Sequence, residues 1–66
     1  MQIQLNGEPF QAKQDMTISA LLATMDVGTQ RYAIEVNETI IPRSQHDIHI
    51  LQEGDQIEVV VAIGGG

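Results

Sequence analysis

The 66-residue chain contains no cysteine, two prolines, one tyrosine and one phenylalanine. Without cysteine it can form neither a disulfide framework nor a thiolate metal site, although domains of this size often need such supports. Long hydrophobic runs are missing as well, because the longest one, Val59 to Ile63, is far shorter than a membrane span or a signal-peptide core. We therefore expect a soluble, cytoplasmic protein.

Basic residues are also scarce, because three Lys and Arg stand against nine Asp and Glu and give a net charge of −6. This charge repels phosphate backbones and anionic membrane surfaces, which argues against nucleic acids and membranes as partners. A protein with a basic face would instead be steered toward the chain. A chain this short has no room for a deep active-site cleft, and we expect a single domain over residues 1–66.

The first residues predict a β-hairpin. Ile3 and Leu5 alternate with polar residues, which is the period of a half-buried strand. Asn6-Gly7 is the dipeptide that a tight type I′ turn favours, and a second strand would then run from Glu8 to about Lys13. Pro9 cannot donate to a strand ladder, so this second strand should lie at the edge of the sheet.

An amphipathic helix should follow the hairpin. Thr17 is a suitable N-cap and Gly28 a suitable residue just beyond the C-terminus, so we expect the helix to run from about Ile18 to Val27. Four apolar residues at positions i, i+3, i+4 and i+7 form its buried stripe: Ile18, Leu21, Leu22 and Met25.

Three more strands are predicted in the second half of the chain. Tyr32 to Val36 alternates, and Asn37-Glu38 turns it into a short strand over Ile40-Ile41-Pro42. Ser44 to Ile48 should form a single capped turn. The last strand would run from Gln56 to about Ile63.

This last strand has two chemically different faces. Ile57, Val59, Val61 and Ile63 share one face, and the other carries Glu58, Val60 and Ala62. The second face is either an ordinary, slightly apolar strand surface or a docking place for a partner, where Glu58 could pair with a basic residue. Its three residues are therefore candidates for partner binding.

The order of elements is strand, strand, helix, strand, short strand and strand. A single helix can cover only one face of such a sheet, which is an α+β arrangement. The order matches the ubiquitin-like β-grasp fold, a mixed sheet whose last strand lies in mid-sheet, parallel to the first. We expect the second sheet face to stay open to solvent or to a partner.

The glycine triplet Gly64-Gly65-Gly66 ends the sequence, with no helix behind it that would make it a phosphate-binding loop. Glycines form the thinnest and most pliable tail, which could thread a narrow channel. The α-carboxylate of Gly66, with a reference pKa of about 3.5, would be ionised and would need activation, for example as an acyl-adenylate, before it could react. A frayed terminus would give the same triplet, so the triplet alone leaves both interpretations open.

The whole chain resembles the ThiS family of sulfur carriers in thiamine biosynthesis. The resemblance is carried by its length and by five segments: Met1 to Gly7, Ala33 to Asn37, Ile40 to Arg43, Glu53 to Ile57, and the terminal Gly65-Gly66. It implies that an E1-like adenylating enzyme (ThiF-like) uses ATP to adenylate the Gly66 carboxylate. Sulfur from a cysteine desulfurase system would convert it to a thiocarboxylate, and a ThiG-like thiazole synthase would take up that sulfur.

The resemblance also implies that the chain is a cosubstrate rather than an enzyme, with ATP bound by its partner and no cofactor of its own. Gly64 and Gly65 would belong to the flexible tail that carries the reactive Gly66 and would not react themselves. A MoaD-like carrier for molybdopterin synthesis and a ubiquitin-like interaction module that never uses its carboxylate are the alternatives. Separately, His46 and His49 match no known metal-ligand spacing, and we expect them to be a solvated pair.

Overall fold

A computed structural model describes residues 1–25, 27 and 31–61 of the chain. Its five strands form one mixed sheet in the order β2-β1-β5-β3-β4, with β5 parallel to β1 and antiparallel to β3. This topology confirms the predicted β-grasp fold. The elements in chain order are β1 (Gln2–Leu5), β2 (Glu8–Gln11), α1 (Ile18–Ala23), β3 (Tyr32–Val36), β4 (Thr39–Ile41), a 3₁₀ helix (Arg43–Gln45) and β5 (Gln56–Val61).

Two type I′ turns build the hairpins of the sheet. Asn6 and Gly7 have φ angles of 51° and 82°, and Asn37 and Glu38 have φ angles of 52° and 70°. Both turns were expected from the sequence. The strand β2 lies at the edge of the sheet as Pro9 predicted, but it ends at Gln11 rather than near Lys13.

The helix is shorter than its apolar stripe predicted, because α1 ends at Ala23 instead of Val27. Its start is confirmed: the Thr17 side chain accepts a hydrogen bond from the Ala20 N–H at 3.1 Å. At the other end, both the hydroxyl and the N–H of Thr24 donate to the Leu21 carbonyl, at 2.7 and 3.0 Å. This contact tightens the last turn and ends the helix. The predicted cap Gly28 lies outside the described residues.

One face of the sheet packs against α1 and forms the core. The side chains of Ile18 and Leu21 are fully buried there, and Met25 packs against the core from the turn after α1, as its place in the stripe predicted. In the described ranges no helix is long and apolar enough to cross a membrane. The buried apolar residues are Ile3, Ala12, Met16, Ile18, Leu21, Leu22, Ile34, Val36, Leu51, Ile57 and Val59.

The segment after β4 corrects the prediction for His46. The expected turn is present as the 3₁₀ helix and the turn residues after it, but the predicted cap is wrong, because no side chain among the described residues caps this helix. The turn directs His46 inward, and this side chain is only 5% exposed. Its Nε2 donates to the Ile41 carbonyl at 3.0 Å, and its ring stacks on Tyr32 with 6.2 Å between centroids. His49 is half-buried. The histidines are therefore not a solvated pair, because one of them is a core residue.

Candidate functional site

The strand β5 occupies the middle of the sheet and leads toward the glycine tail. Its backbone pairs with β1 on one side and with β3 on the other, up to the pair of Val61 with Tyr32. The predicted alternation is confirmed, because Ile57 and Val59 are buried while Val60 is exposed. Ala62, Ile63 and the three terminal glycines Gly64, Gly65 and Gly66, which include the predicted reactive residue, lie outside the described residues.

A side chain of the first hairpin extends the hydrogen bonding of β5. The N–H of Asn6 donates to the Ile57 carbonyl at 2.9 Å, and the side-chain oxygen of Asn6 accepts from the Val59 N–H at 2.8 Å. Asn6 is the first residue after β1, in the turn that leads to β2. Its side-chain oxygen therefore accepts a hydrogen bond that the backbone of a longer β1 would otherwise accept. The Val59 N–H, which lies past the last residue of β1, thus still has a hydrogen-bond partner on that side of β5.

A second asparagine fixes the start of β5 from the other side. The backbone and side chain of Asn37 exchange two hydrogen bonds with the backbone of Gln56, at 2.8 and 2.9 Å. The Asn37 amide N–H also donates to the carboxylate of Asp55 at 3.0 Å, and this carboxylate accepts from the Gln52 N–H at 2.8 Å. Asp55 is 9% exposed. These contacts hold β5 in register from its first residue.

The open face of the sheet carries the described candidates for partner binding. Glu58 is exposed, and Val60 is 49% exposed on the same face. Across the sheet, Glu35 lies directly opposite Glu58, and Ile40 lies directly opposite Glu35. Ile40 is 66% exposed. The sequence analysis did not identify Glu35 and Ile40, because their place beside Glu58 depends on the pairing of three strands.

A groove of about 290 Å³ lies beside Glu58 on this face. Its polar side chains carry hydrogen-bond acceptors, and it opens beside the first hairpin turn. No group of three or more His, Cys, Asp or Glu that could hold a metal ion occurs in the part of the chain that the structure describes. The groove is lined by Gln4, Gly7, Gln56, Ile57 and Glu58.

Comparison with known proteins shows which family the chain resembles in sequence and in fold. The model of the ThiS family matches residues 3–66. The chain is 38% identical to the sulfur carrier protein ThiS of Escherichia coli over 66 residues, covering the full length of both proteins. A crystal structure of the thiamine biosynthesis protein ThiS from Geobacter metallireducens superposes with a TM-score of 0.84 at 25% identity, over the full length of both chains.

A relative of another kind is much longer than this chain. The chain is 42% identical to a thiazole synthase of Magnetococcus marinus over all 66 of its own residues, but these make up only 20% of that protein. The chain thus spans about one fifth of the length of this relative. The family match, the similarity along the entire E. coli protein and the shared fold together establish that the chain belongs to the ThiS family.

Proposed function

We propose that the chain is a sulfur carrier of thiamine biosynthesis, with the thiazole ring as the destination of the sulfur. The observation that carries the proposal is a strand held in mid-sheet from both sides, which leads within five residues into a glycine tail. Family membership supports the carrier role. The names of the relatives, a sulfur carrier and a thiazole synthase, support the thiamine pathway.

The reactive group in this proposal is the α-carboxylate of Gly66. A carboxylate is a poor acyl donor, so one of its oxygens first attacks the α-phosphate of ATP, and pyrophosphate leaves. A sulfur nucleophile then attacks the acyl-adenylate, and AMP leaves. When that nucleophile is the outer sulfur of a persulfide, the product is an acyl disulfide, and a thiol reductant of the sulfur-donor system cleaves its S–S bond, so that Gly66 ends in a thiocarboxylate and the reductant leaves in a disulfide. Glycine offers the least steric hindrance to each attack because it has no side chain.

The chain acts as a protein cosubstrate, and its partners perform the chemistry. An E1-like adenylating enzyme binds ATP and activates Gly66, a cysteine desulfurase system supplies sulfur, and a thiazole synthase accepts it. The docking surface includes the exposed residues Glu58 and Val60, and Ala62 is a further candidate for it. The cytoplasmic location expected from the sequence stays a prediction, as does the expectation that the chain binds no cofactor.

The proposal is tested by incubating the chain with an adenylating partner, ATP and a sulfur donor. We expect intact-mass spectrometry to show one carboxylate oxygen replaced by sulfur. A chain that lacks Gly66 should keep its fold and should not be converted. An unchanged mass with a partner that converts its own carrier would contradict the carrier role.

A genetic test separates the thiamine pathway from molybdopterin synthesis. The gene should restore growth of a thiamine auxotroph that lacks its own carrier, and it should fail to restore molybdoenzyme activity in a strain that lacks the molybdopterin carrier. The reverse pattern would assign the chain to the second pathway. The chain without Gly66 serves as the control in both strains.

A further inference from the structure

Two acidic residues face each other in the middle of the open sheet face. Glu35 of β3 and Glu58 of β5 occupy directly opposed positions of an antiparallel pair. Side chains in such positions have Cβ atoms about 5 Å apart, and like charges there destabilise the sheet. A cation placed between two such carboxylates would relieve their repulsion.

The chain has few basic side chains with which to neutralise this pair. Only three Lys and Arg residues occur in the sequence. The Arg43 guanidinium carbon lies 4.8 Å from the ring centre of Tyr32, whose side chain stacks with buried His46. Lys13 follows β2 at the edge of the sheet. Arg31 precedes Glu35 by four residues, which is about 13 Å along an extended chain.

Apolar surface lies next to the acidic pair. Ile40 continues the row of Glu35 and Glu58 onto β4 and is 66% exposed, and Val60 lies one row further along β5 and is 49% exposed. On the other side, the groove of about 290 Å³ brings the side chains of Gln4 and Gln56 close to Glu58. Carboxylate and amide oxygens are all hydrogen-bond acceptors, and a planar guanidinium offers five N–H donors.

We propose that Glu35 and Glu58 together bind an arginine side chain of the adenylating enzyme, while Ile40 and Val60 pack against apolar residues beside it. This inference rests on the proposed function, because it takes the activating enzyme as the partner. The arginine cancels the repulsion between the two carboxylates, so the pair that weakens the free protein strengthens the complex. Recognition of the carrier then depends on a site several residues away from the reactive tail.

Charge complementarity favours a basic protein partner over other occupants of this face. A second copy of the chain would bring another net charge of −6 toward the same acidic pair, and nucleic acids and anionic lipids are repelled for the same reason. An electropositive protein surface is attracted and its encounter with the carrier is accelerated. Ile40 and Val60, which lie beside the acidic pair, then bury apolar surface against the partner, and this burial adds a hydrophobic contribution to the binding free energy.

The experiment compares E35Q, E58Q and the double variant E35Q/E58Q with the wild type. Glu8 and Glu38 are exposed outside this row, so E8Q/E38Q is a control with the same change in net charge. We expect the melting temperature of the double variant to rise by about 2 °C, as relief of like-charge repulsion requires. Calorimetric titration with the adenylating enzyme and ATP should show affinity reduced about tenfold, with a weaker dependence on salt.

The outcomes separate this inference from the proposed function. If the double variant melts lower than the wild type, or if it binds as tightly as E8Q/E38Q, the acidic pair is not the binding site. Conversion of the wild-type chain to the thiocarboxylate would leave the carrier role intact in that case. If affinity depends on Glu35 and Glu58 but the wild-type chain is never converted, the docking site stands and the carrier role fails.

Discussion

The side-chain oxygen of Asn6 accepts a hydrogen bond at 2.8 Å from the N–H of Val59, a residue 53 positions later in the chain. The same asparagine adopts the positive φ angle that the type I′ turn demands. One residue therefore closes the first hairpin and secures the strand that leads to the tail. The two tasks can be separated by substitution, because they need different properties of the side chain.

Replacing Asn6 tests the hydrogen bond to β5. N6G keeps the freedom to adopt positive φ but removes the acceptor, and we expect it to lower the free energy of unfolding by about 1 kcal/mol. N6D keeps both the acceptor and a tolerance for positive φ, so it should stay close to the wild type. Urea unfolding measures both variants. Equal losses in the two would show that the acceptor is not what matters.

Replacing Asp55 tests the hydrogen bonds at the start of β5. In D55N an NH₂ group must face either the Gln52 N–H or the Asn37 amide, both of which now donate to the carboxylate. We expect a loss of about 1–3 kcal/mol in the free energy of unfolding, since a partly buried donor loses its acceptor. D15N is the control, because Asp15 is exposed and has a positive φ angle that asparagine tolerates. A neutral D55N would contradict this account of the turn.

The sequence predicted the features that depend on neighbouring residues in the chain. It missed the features that depend on contacts between distant segments. Alternation identified the faces of β5, and the residues Asn6-Gly7 identified the first turn, because strand period and turn chemistry are properties of neighbours along the chain. The helix was predicted four residues too long, since its apolar stripe continues to Met25, which still packs on the core beyond the point where Thr24 ends the helix.

Contacts between distant segments had no signal in the sequence. His46 is buried because β3 brings the ring of Tyr32 beneath it, and nothing near His46 in the chain indicates this contact. The opposition of Glu35 and Glu58 likewise depends on the register of β3 against β5. Among the predicted partner-binding residues, Glu58 and Val60 were correctly assigned to the open face, while Ala62 lies outside the described residues.

Replacing Thr17 tests how far the helix depends on its cap. The helix α1 has only six residues, which are too few to be stable by helix propensity alone. The hydrogen bond at its N-cap should therefore contribute a larger share of the helix stability than it would in a long helix. T17A removes the acceptor for the Ala20 N–H and should lower the free energy of unfolding by about 1 kcal/mol. T17S retains the hydroxyl and should lose much less. A T17S variant as unstable as T17A would assign the effect to the lost methyl group.

In the proposed function, the loaded carrier ends in a thiocarboxylate at Gly66. Because the chain has no cysteine, a thiol-directed alkylating reagent finds no thiol in the unloaded protein. After incubation with the adenylating enzyme, ATP and a sulfur donor, fragmentation mass spectrometry of the alkylated chain should place one label on the C-terminal fragment that contains Gly66. A label on any other fragment, or no label with a competent enzyme, would contradict the account.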